Sequence, residues 1–436
     1  MSGKLSSGKL SPMSTPVRRR EIWSWAFYDF ANSAFATTIL AVIFAKYFTG
    51  RIVPEEGVKI LGQVFEGPFL WNMIVSASMI WVCLTAPSVG AITDHLAAKK
   101  RFLFFYWIVG CLATAGLSLM APGMVVSAMI IFIVANISFS SANPLYNAFL
   151  TELAPPEKRS RISSFGWGIG YAGGGLCLAV NLVMIKIWGE AAVRPGFFVV
   201  AVWWFLFSLP LFFWLRERAV PKERVGTLPL IRKGVTDVFQ TLRHIRRYRE
   251  LFKFLLAFLC FNEGVQTIIV NAAVYGSEVI KMEQDELILV YLMVQAVAFV
   301  GAFLLGYIAD RFRAKPTLLV ALLVWLAVIG FAFQATTSRE FWILGAMVGL
   351  VMGGTQAISR GFFGELTPEK KSAEFFGFYA LGGRFSSAIG PLIFGFLVHF
   401  TGGMKWGIAS QAFFFIAGFL LLLSVSEARG RKEALA

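Results

Sequence analysis

Two carboxylates stand inside long apolar runs of the sequence. Asp29 is followed three residues later by Asn32, and Glu263 is followed three residues later by Gln266. A spacing of i, i+3 places both polar groups on one face of a helix. An ionisable side chain at membrane depth costs about 2.5–3.5 kcal/mol on insertion scales, so it indicates a functional role. We expect these acids to carry a proton or bind a solute amine; a permanent structural pair with an arginine or a helix end is the alternative.

Two arginines also fall within apolar runs. A guanidinium stays charged at any accessible pH and binds a carboxylate bidentately. Arg384 lies in the middle of its run, so it suits either a substrate carboxylate or a buried pair with Asp29 or Glu263. Arg360 lies closer to the end of its run, where an ion pair that closes a gate is favoured over substrate contact.

Polar side chains also recur one helical turn apart in two further runs. Asn143 and Asn147 share one face, and Gln356 and Arg360 share another. Matching polar faces predict the wall of a solute cavity. Helix–helix hydrogen bonding, about 0.6 kcal/mol on average in membranes, explains the same pattern and stays open.

The composition requires a membrane protein. Hydrophobic residues make up 57% of the 436 residues and charged residues only 15%, against about 25% charged in a typical soluble chain. The net charge of +15 lies in short loops, which is typical of cytoplasmic loops rather than of a nucleic-acid surface. The four cysteines have no metal-ligand spacing, and no Walker-type loop is present. We therefore expect no metal, no cofactor, no nucleic acid and no enzymatic activity.

Twelve apolar runs are long enough to cross about 30 Å of hydrocarbon as helices. They lie near 22–48, 69–93, 102–121, 124–150, 162–187, 196–215, 251–276, 286–309, 317–335, 341–363, 373–400 and 405–426. Clusters such as Arg18–Arg20, Lys99–Arg101 and Lys370–Lys371 mark one set of helix ends, so this side and both termini are predicted to be cytoplasmic. Trp23, Trp25 and Tyr28 near this boundary are interpreted as an interfacial aromatic belt.

The longest connection divides the chain into two halves. We predict a disordered cytoplasmic tail at 1–20, six-helix halves at 21–215 and 250–426, a linker at 216–249 and a cytoplasmic tail at 427–436. In the linker, apolar residues at helical spacing are interleaved with basic ones, which indicates an amphipathic helix on the inner leaflet; a solvated linker is the alternative. The apolar positions are Ile231, Val235, Val238, Leu242 and Ile245.

The two halves repeat each other. Gly90 and Asp94 follow the second run at the same offset at which Gly306 and Asp310 follow the eighth, and Arg311 comes directly after the second copy. Glu152-Leu-Ala-Pro-Pro likewise corresponds to Glu365-Leu-Thr-Pro. A duplicated unit with acids in corresponding spans is typical of a transporter. We expect these seven residues to hold a cytoplasmic gate: Gly90, Asp94, Glu152, Gly306, Asp310, Arg311 and Glu365.

The Gly-x-x-x-Asp pattern after runs two and eight resembles the signature loop of the major facilitator superfamily. Three further stretches carry a more specific resemblance: Trp23–Ile39, Tyr146–Gly175 and Gly353–Pro391. Through them the chain is similar to the bacterial "unknown major facilitator" family, relatives of the fungal vacuolar amino-acid effluxers of autophagy. It implies an all-α integral membrane fold of twelve helices in two pseudo-symmetric six-helix halves, with the first helix of each half lining a central cavity.

These observations predict a secondary transporter in the bacterial inner membrane, working as a monomer. We expect proton-coupled efflux of a small polar solute, an amino acid foremost. The partners are the solute, protons and the lipid bilayer. A transporter of a sugar, nucleoside, peptide or drug remains an alternative, as does a channel, scramblase or sensor on the same fold.

Overall fold

The computed structural model describes residues 16–60, 62–221, 234, 236, 238–241, 243, 245–401 and 404–435. Helices account for nearly all of this, because runs of about twenty apolar residues satisfy their own backbone hydrogen bonds only as helices. A short hairpin, β1 (Val58–Ile60) with β2 (Gln63–Phe65), interrupts the loop after the first span. The predicted tail at 1–20 lies mostly outside the described residues.

The first half contains eight α-helices, two π-helical segments and a 3-10 turn. Their bounds are α1 (Arg19–Ala34), a π segment (Phe35–Val42), α2 (Ile43–Tyr47), a second π segment (Phe48–Ile52), α3 (Gly67–Leu96), α4 (Lys99–Leu117), α5 (Val125–Ala148), α6 (Leu150–Leu153), α7 (Pro156–Trp188), a 3-10 turn (Gly189–Ala192) and α8 (Val193–Trp214). Segments α1 to the second π segment form one span, Arg19–Ile52.

The second half follows the same order. It comprises a 3-10 turn (Ile245–Tyr248), α9 (Arg249–Glu278), α10 (Gln284–Phe312), α11 (Ala314–Gln334), α12 (Ser338–Leu366), a 3-10 turn (Glu369–Lys371), α13 (Ser372–Thr401), α14 (Met404–Leu423) and α15 (Glu427–Leu435). Each of the twelve predicted runs overlaps a helix. Ten helical stretches of the described chain are long and apolar enough to cross a membrane, and one of them, Pro156–Trp214, contains both α7 and α8.

The repeat seen in the sequence is also visible in the backbone. Ala97 ends α3 with a φ of 50°, and Arg313 ends α10 with a φ of 72°, at the same offset after Asp94 and Asp310. Positive φ costs a residue other than glycine about 1–3 kcal/mol. Both halves therefore connect their second and third long helices through a tight turn that contains a residue with positive φ, although ψ is 52° at Ala97 and 158° at Arg313.

Glycines bring α1 and α7 into close contact. Gly170 faces Ser33 and the Cβ of Asp29, and Gly173 faces the backbone of Phe30 so closely that a side chain would have no room. A stripe of small residues lets two helix backbones approach within a membrane, where packing rather than hydrophobicity drives association. This packing places the predicted acid of α1 directly beside α7.

The described chain ends lie at the same end of the bundle. Arg218, just after α8, pairs with Glu21 in α1, and Arg431 in α15 pairs with Glu365 at the end of α12. We call this end the terminal face. The segment predicted as a tail at 427–436 forms α15 here. In the linker, Gly234 packs against Ile92 of α3; Ile231, Val235 and Leu242 lie outside the described residues.

Candidate functional site

Arg360 of α12 reaches across from the second half and binds the first. Its Nη1 donates to Oδ2 of Asp29 at 2.9 Å and to Oδ1 of Asn147 at 3.1 Å. Its Nε donates to Oγ of Ser163 at 2.8 Å, and its Nη2 to the carbonyl oxygen of Ser163 at 2.8 Å. The Arg360 side chain is only 3% exposed and that of Asp29 13%. The sequence-predicted gate arginine thus meets the sequence-predicted acid in one buried ion pair.

Three aromatic rings surround the same guanidinium. Its central carbon lies 4.8 Å from the ring centre of Trp25, 5.5 Å from that of Trp167 and 5.7 Å from that of Tyr146. A cation over an aromatic face gains about 0.5–1 kcal/mol at exposed sites and about 2 kcal/mol when desolvated. We call the surrounding residues the cation cage: Trp25, Asp29, Tyr146, Asn147, Ser163 and Trp167.

The walls of the cage are fixed within the first half. Trp25 donates from Nε1 to the carbonyl oxygen of Tyr146 at 3.0 Å, and the Tyr146 hydroxyl donates back to the carbonyl oxygen of Trp25 at 3.0 Å. Their rings stack with centres 4.7 Å apart. A Cβ at Gly166 would lie 2.8 Å from Oδ2 of Asp29 and 2.9 Å from Nη2 of Arg360, so glycine there leaves room for the pair.

Amide side chains pair in both halves, and Asn262 was not among the predicted ones. Nδ2 of Asn32 donates to Oδ1 of Asn143 at 3.1 Å, which joins the first and fourth spans of the first half. In the second half, Nε2 of Gln356 donates to Oδ1 of Asn262 at 2.8 Å. Gln266, the amide predicted to face the cavity in that half, is partly exposed and lies one turn further along α9. The amide pair therefore joins corresponding helices in the two halves. On the first helix of the second half, the paired residue lies one turn earlier than the counterpart of Asn32.

The two remaining charged candidates differ in what the structure describes. Glu263 is buried in α9, with 1% of its surface exposed. It therefore does not face lipid. Arg384 belongs to α13, and the structure describes its backbone but not its side chain.

The first copy of the repeat motif, Gly90 with Asp94, contacts the second half at the terminal face. Oδ2 of Asp94 accepts the backbone N–H of Glu374 at 2.9 Å, in the first turn of α13, where the helix dipole favours a negative charge. Gly90 packs against the backbone of Ala373 with no space for a side chain. Lys99 is 1% exposed, forms an ion pair with Glu152 and donates to Oγ of Ser372 at 3.1 Å.

The second copy contacts the corresponding helix of the other half, α7, but through side chains. Oδ2 of Asp310 accepts from Nη1 of Arg161 at 3.1 Å, and Gly306 packs directly on Ser164. The Arg161 side chain is 63% exposed, so this pair is screened by solvent and adds little stability. Arg311, predicted as a gate residue, is exposed at the surface beside the pair.

Glu365 lies in a further cluster across the terminal face. Its Oε1 accepts from Oγ of Ser160 at 3.1 Å, and its Oε2 accepts from Nη2 of Arg431 at 2.9 Å. Arg159 crosses between the halves beside it, donating to the carbonyl oxygen of Gly364 at 2.7 Å and to Glu369 at 3.0 Å. Apart from the exposed Arg311, the predicted gate residues of both repeats thus lie at the interface or directly behind it.

Several residues of the site escaped the sequence reasoning. Trp25 and Tyr28 were expected in an interfacial belt, and that interpretation is wrong, since both are 0% exposed. Trp23 is exposed, in keeping with the belt. The spacing held a usable signal, because Trp25 stands one turn before Asp29 on the same helix face. Nothing local marked Ser163 or Trp167, which meet the others only through the packing of α7 on α1.

Comparison with known proteins agrees with this architecture. A family model described as "Vacuole effluxer Atg22 like" matches residues 17–435. The chain belongs to this family. It is 30% identical over 412 residues to the MFS-type transporter YxiO of Bacillus subtilis (strain 168), covering 93% of this chain and 94% of that protein. Autophagy-related protein 22 of Kluyveromyces lactis is 24% identical over 473 residues and covers 95% of each chain.

Solved structures show the fold independently. The human organic anion transporter MFSD10 aligns with a TM-score of 0.74 at 13% identity, over 94% of this chain and all (100%) of that one. FucP, a major facilitator superfamily transporter in the outward conformation, aligns with a TM-score of 0.71 at 13% identity, over 95% and 100%. The predicted helical fold and family are confirmed. The protein is a multi-pass membrane transporter of the major facilitator superfamily and not an enzyme.

Proposed function

We propose that this Atg22-like transporter exports a small polar solute, an amino acid foremost, by proton-coupled alternating access in the bacterial inner membrane. The observation that carries the proposal is the ion pair between Asp29 and Arg360, which joins the two halves at a buried position. A pair that must break whenever the halves separate can couple the state of the acid to the conformation of the protein. The family's description as vacuole effluxers supports transport of a solute across a membrane.

The contacts at the terminal face support the assignment of a state. Asp94, Arg159 and Arg360 all bind residues of the opposite half there. Under the orientation predicted from the basic loops, the terminal face is cytoplasmic. The structure then corresponds to a state closed to the cytoplasm, and rocking of the two halves apart at this face would open it.

Proton coupling follows from the chemistry of the pair. A proton on Asp29 removes the charge that Arg360 neutralises, and an uncompensated buried charge costs several kcal/mol. Protonation would therefore weaken the contact that holds the terminal face closed. Glu263 stands in the equivalent helix of the other half and is the second candidate for proton transfer.

Amide groups provide solute contacts that suit a zwitterion. The Asn32–Asn143 pair joins α1 and α5, and the Asn262–Gln356 pair joins α9 and α12, which are the first and fourth membrane-spanning helices of their halves. Amides donate and accept hydrogen bonds, so they can bind both ends of an amino acid without a net charge. Arg384 is retained as the candidate for the substrate carboxylate.

Proteoliposomes with an imposed pH gradient test the proposal. We expect gradient-driven flux and counterflow of at least one amino acid, reduced more than tenfold by Asp29→Asn and by Glu263→Gln. Glu56→Gln, at an exposed acid in the loop before β1, is the matched control and should transport normally. Unchanged coupled flux in both variants would remove these acids from the mechanism. A screen of amino acids, sugars, nucleosides and peptides without trans-stimulation would instead indicate a channel or sensor.

A further inference from the structure

The cation cage is a complete receptor for a guanidinium ion, and every part of it belongs to the first half. A guanidinium has five N–H donors in one plane. Acceptors on α1, α5 and α7 receive four hydrogen bonds from Arg360: Asp29, Asn147, and the hydroxyl and carbonyl oxygens of Ser163. The single negative charge of Asp29 matches the single positive charge of the ion.

The side chain that fills the cation cage in this structure comes from the other half. Arg360 lies on α12, which belongs to the second half, and rigid-body separation at the terminal face would withdraw it. The cage walls would keep their shape, because the reciprocal hydrogen bonds of Trp25 and Tyr146 lie within the first half. The separated state would then hold a preorganised anionic pocket lined by three aromatic faces. Aromatic rings around a carboxylate favour organic cations over sodium, because the rings replace water poorly around a small ion.

We propose that the cage binds the cationic group of the transported solute in the state open at the terminal face, so that the solute and Arg360 alternate as its occupants. This rests on the alternating access proposed above and narrows the solute to compounds with a guanidinium or an amine. A guanidinium compound such as arginine fits best, since the acceptors already match a planar fork. Return of Arg360 on closure would displace the solute towards the opposite side, which is the direction that export requires.

The test uses a variant in which the two halves cannot close at the terminal face. Gly90 has no space beside the backbone of Ala373, so Gly90→Leu would hold the terminal face apart without touching the cage. Gly330→Leu is the matched control, because nothing lies within 4 Å of a Cβ at that glycine in α11. Binding of arginine, methylguanidinium and leucine to purified protein is measured by thermal shift, with equal sodium chloride as the ionic control.

We expect arginine and methylguanidinium to bind Gly90→Leu saturably and at least tenfold more tightly than they bind wild type or Gly330→Leu. Adding Asp29→Asn to Gly90→Leu should abolish that binding. If Gly90→Leu does not fold, Arg360→Ala vacates the same cage and carries the same expectation. Guanidinium compounds that bind the open variant no better than wild type would overturn the inference. Counterflow of leucine in proteoliposomes would show in that case that transport itself still stands.

Discussion

Glu217 and Glu427 perform the same structural task in the two halves of the molecule. Oε1 of Glu217 accepts the backbone N–H of Lys99 at 2.7 Å, at the start of α4. Oε1 of Glu427 accepts the backbone N–H of Lys315 at 3.2 Å, at the start of α11. Each acid follows the last long helix of its half, α8 or α14, and satisfies amides that a helix start leaves without intrahelical partners. The internal repeat therefore extends into both segments that leave the halves.

Burial raises the pKa of Glu217 above the usual range of a glutamate, although hydrogen bonds from Lys99 and Lys100 oppose the shift. An acid with a raised folded-state pKa binds more protons folded than unfolded. Its contribution to stability is therefore present at acid pH and is lost as the pH rises through the folded pKa. We expect the difference in melting temperature, Glu217→Gln minus wild type, to grow by a few degrees as the pH rises above 4.5, the ordinary pKa of a glutamate. Melting curves across about pH 4–8 check this, with Glu56→Gln as reference; a falling difference would contradict it.

Arg431 connects α15 to both halves, since it donates to Glu365 of α12 and to Glu157 of α7. We expect Arg431→Ala to loosen the terminal face and to raise the alkylation rate of a cysteine introduced by Ser160→Cys about threefold or more. Lys432→Ala removes the same charge at the neighbouring exposed position and is the matched control. Equal alkylation rates in the two variants would show that α15 does not hold the gate.

Gly166 sits where α7 passes the buried ion pair. A Cβ there would lie 2.7 Å from the Trp25 ring and 2.8 Å from Asp29, and overpacking of this kind costs about 1–3 kcal/mol. We expect Gly166→Ala to lower transport tenfold or more. At Gly175, further along α7, the nearest atom would be 3.5 Å away, so Gly175→Ala should transport like wild type. Flux assays compare the two variants. Equal transport by Gly166→Ala and Gly175→Ala would show that the Asp29–Arg360 ion pair tolerates an added methyl group beside it.

The coupling between Asp29 and Arg360 can be measured directly. Removing one partner leaves a buried charge, so Asp29→Asn and Arg360→Met should each lower the free energy of unfolding by about 3–5 kcal/mol. The double variant leaves neither charge and should lose at least 1 kcal/mol less than the sum of the two single losses. Unfolding in mixed micelles gives all four values. Additive losses would mean that the two charges do not interact in the folded protein.

Much of the fold followed from local patterns. Apolar runs of membrane length predicted the helices, and matching motifs such as Gly90 with Asp94 and Gly306 with Asp310 predicted the repeat. Both depend on residues near each other in the sequence. The acid of α1 and the arginine of α12 were each singled out because a charge is rare at membrane depth. Arg384 was the arginine named as a possible partner of Asp29, whereas Arg360 was expected in a gate ion pair without a named partner.

The sequence by itself determined that this is a duplicated helical membrane protein with a few charges where lipid would not tolerate them. Only the tertiary structure decided which charges meet. Asp29 and Arg360 are 331 residues apart, and their contact depends on the glycine packing of α7 against α1 and on the closure of two separate halves. Ser163 and Trp167 joined the site for the same reason, since helix packing rather than spacing along the chain brings side chains of distant helices into hydrogen-bonding range.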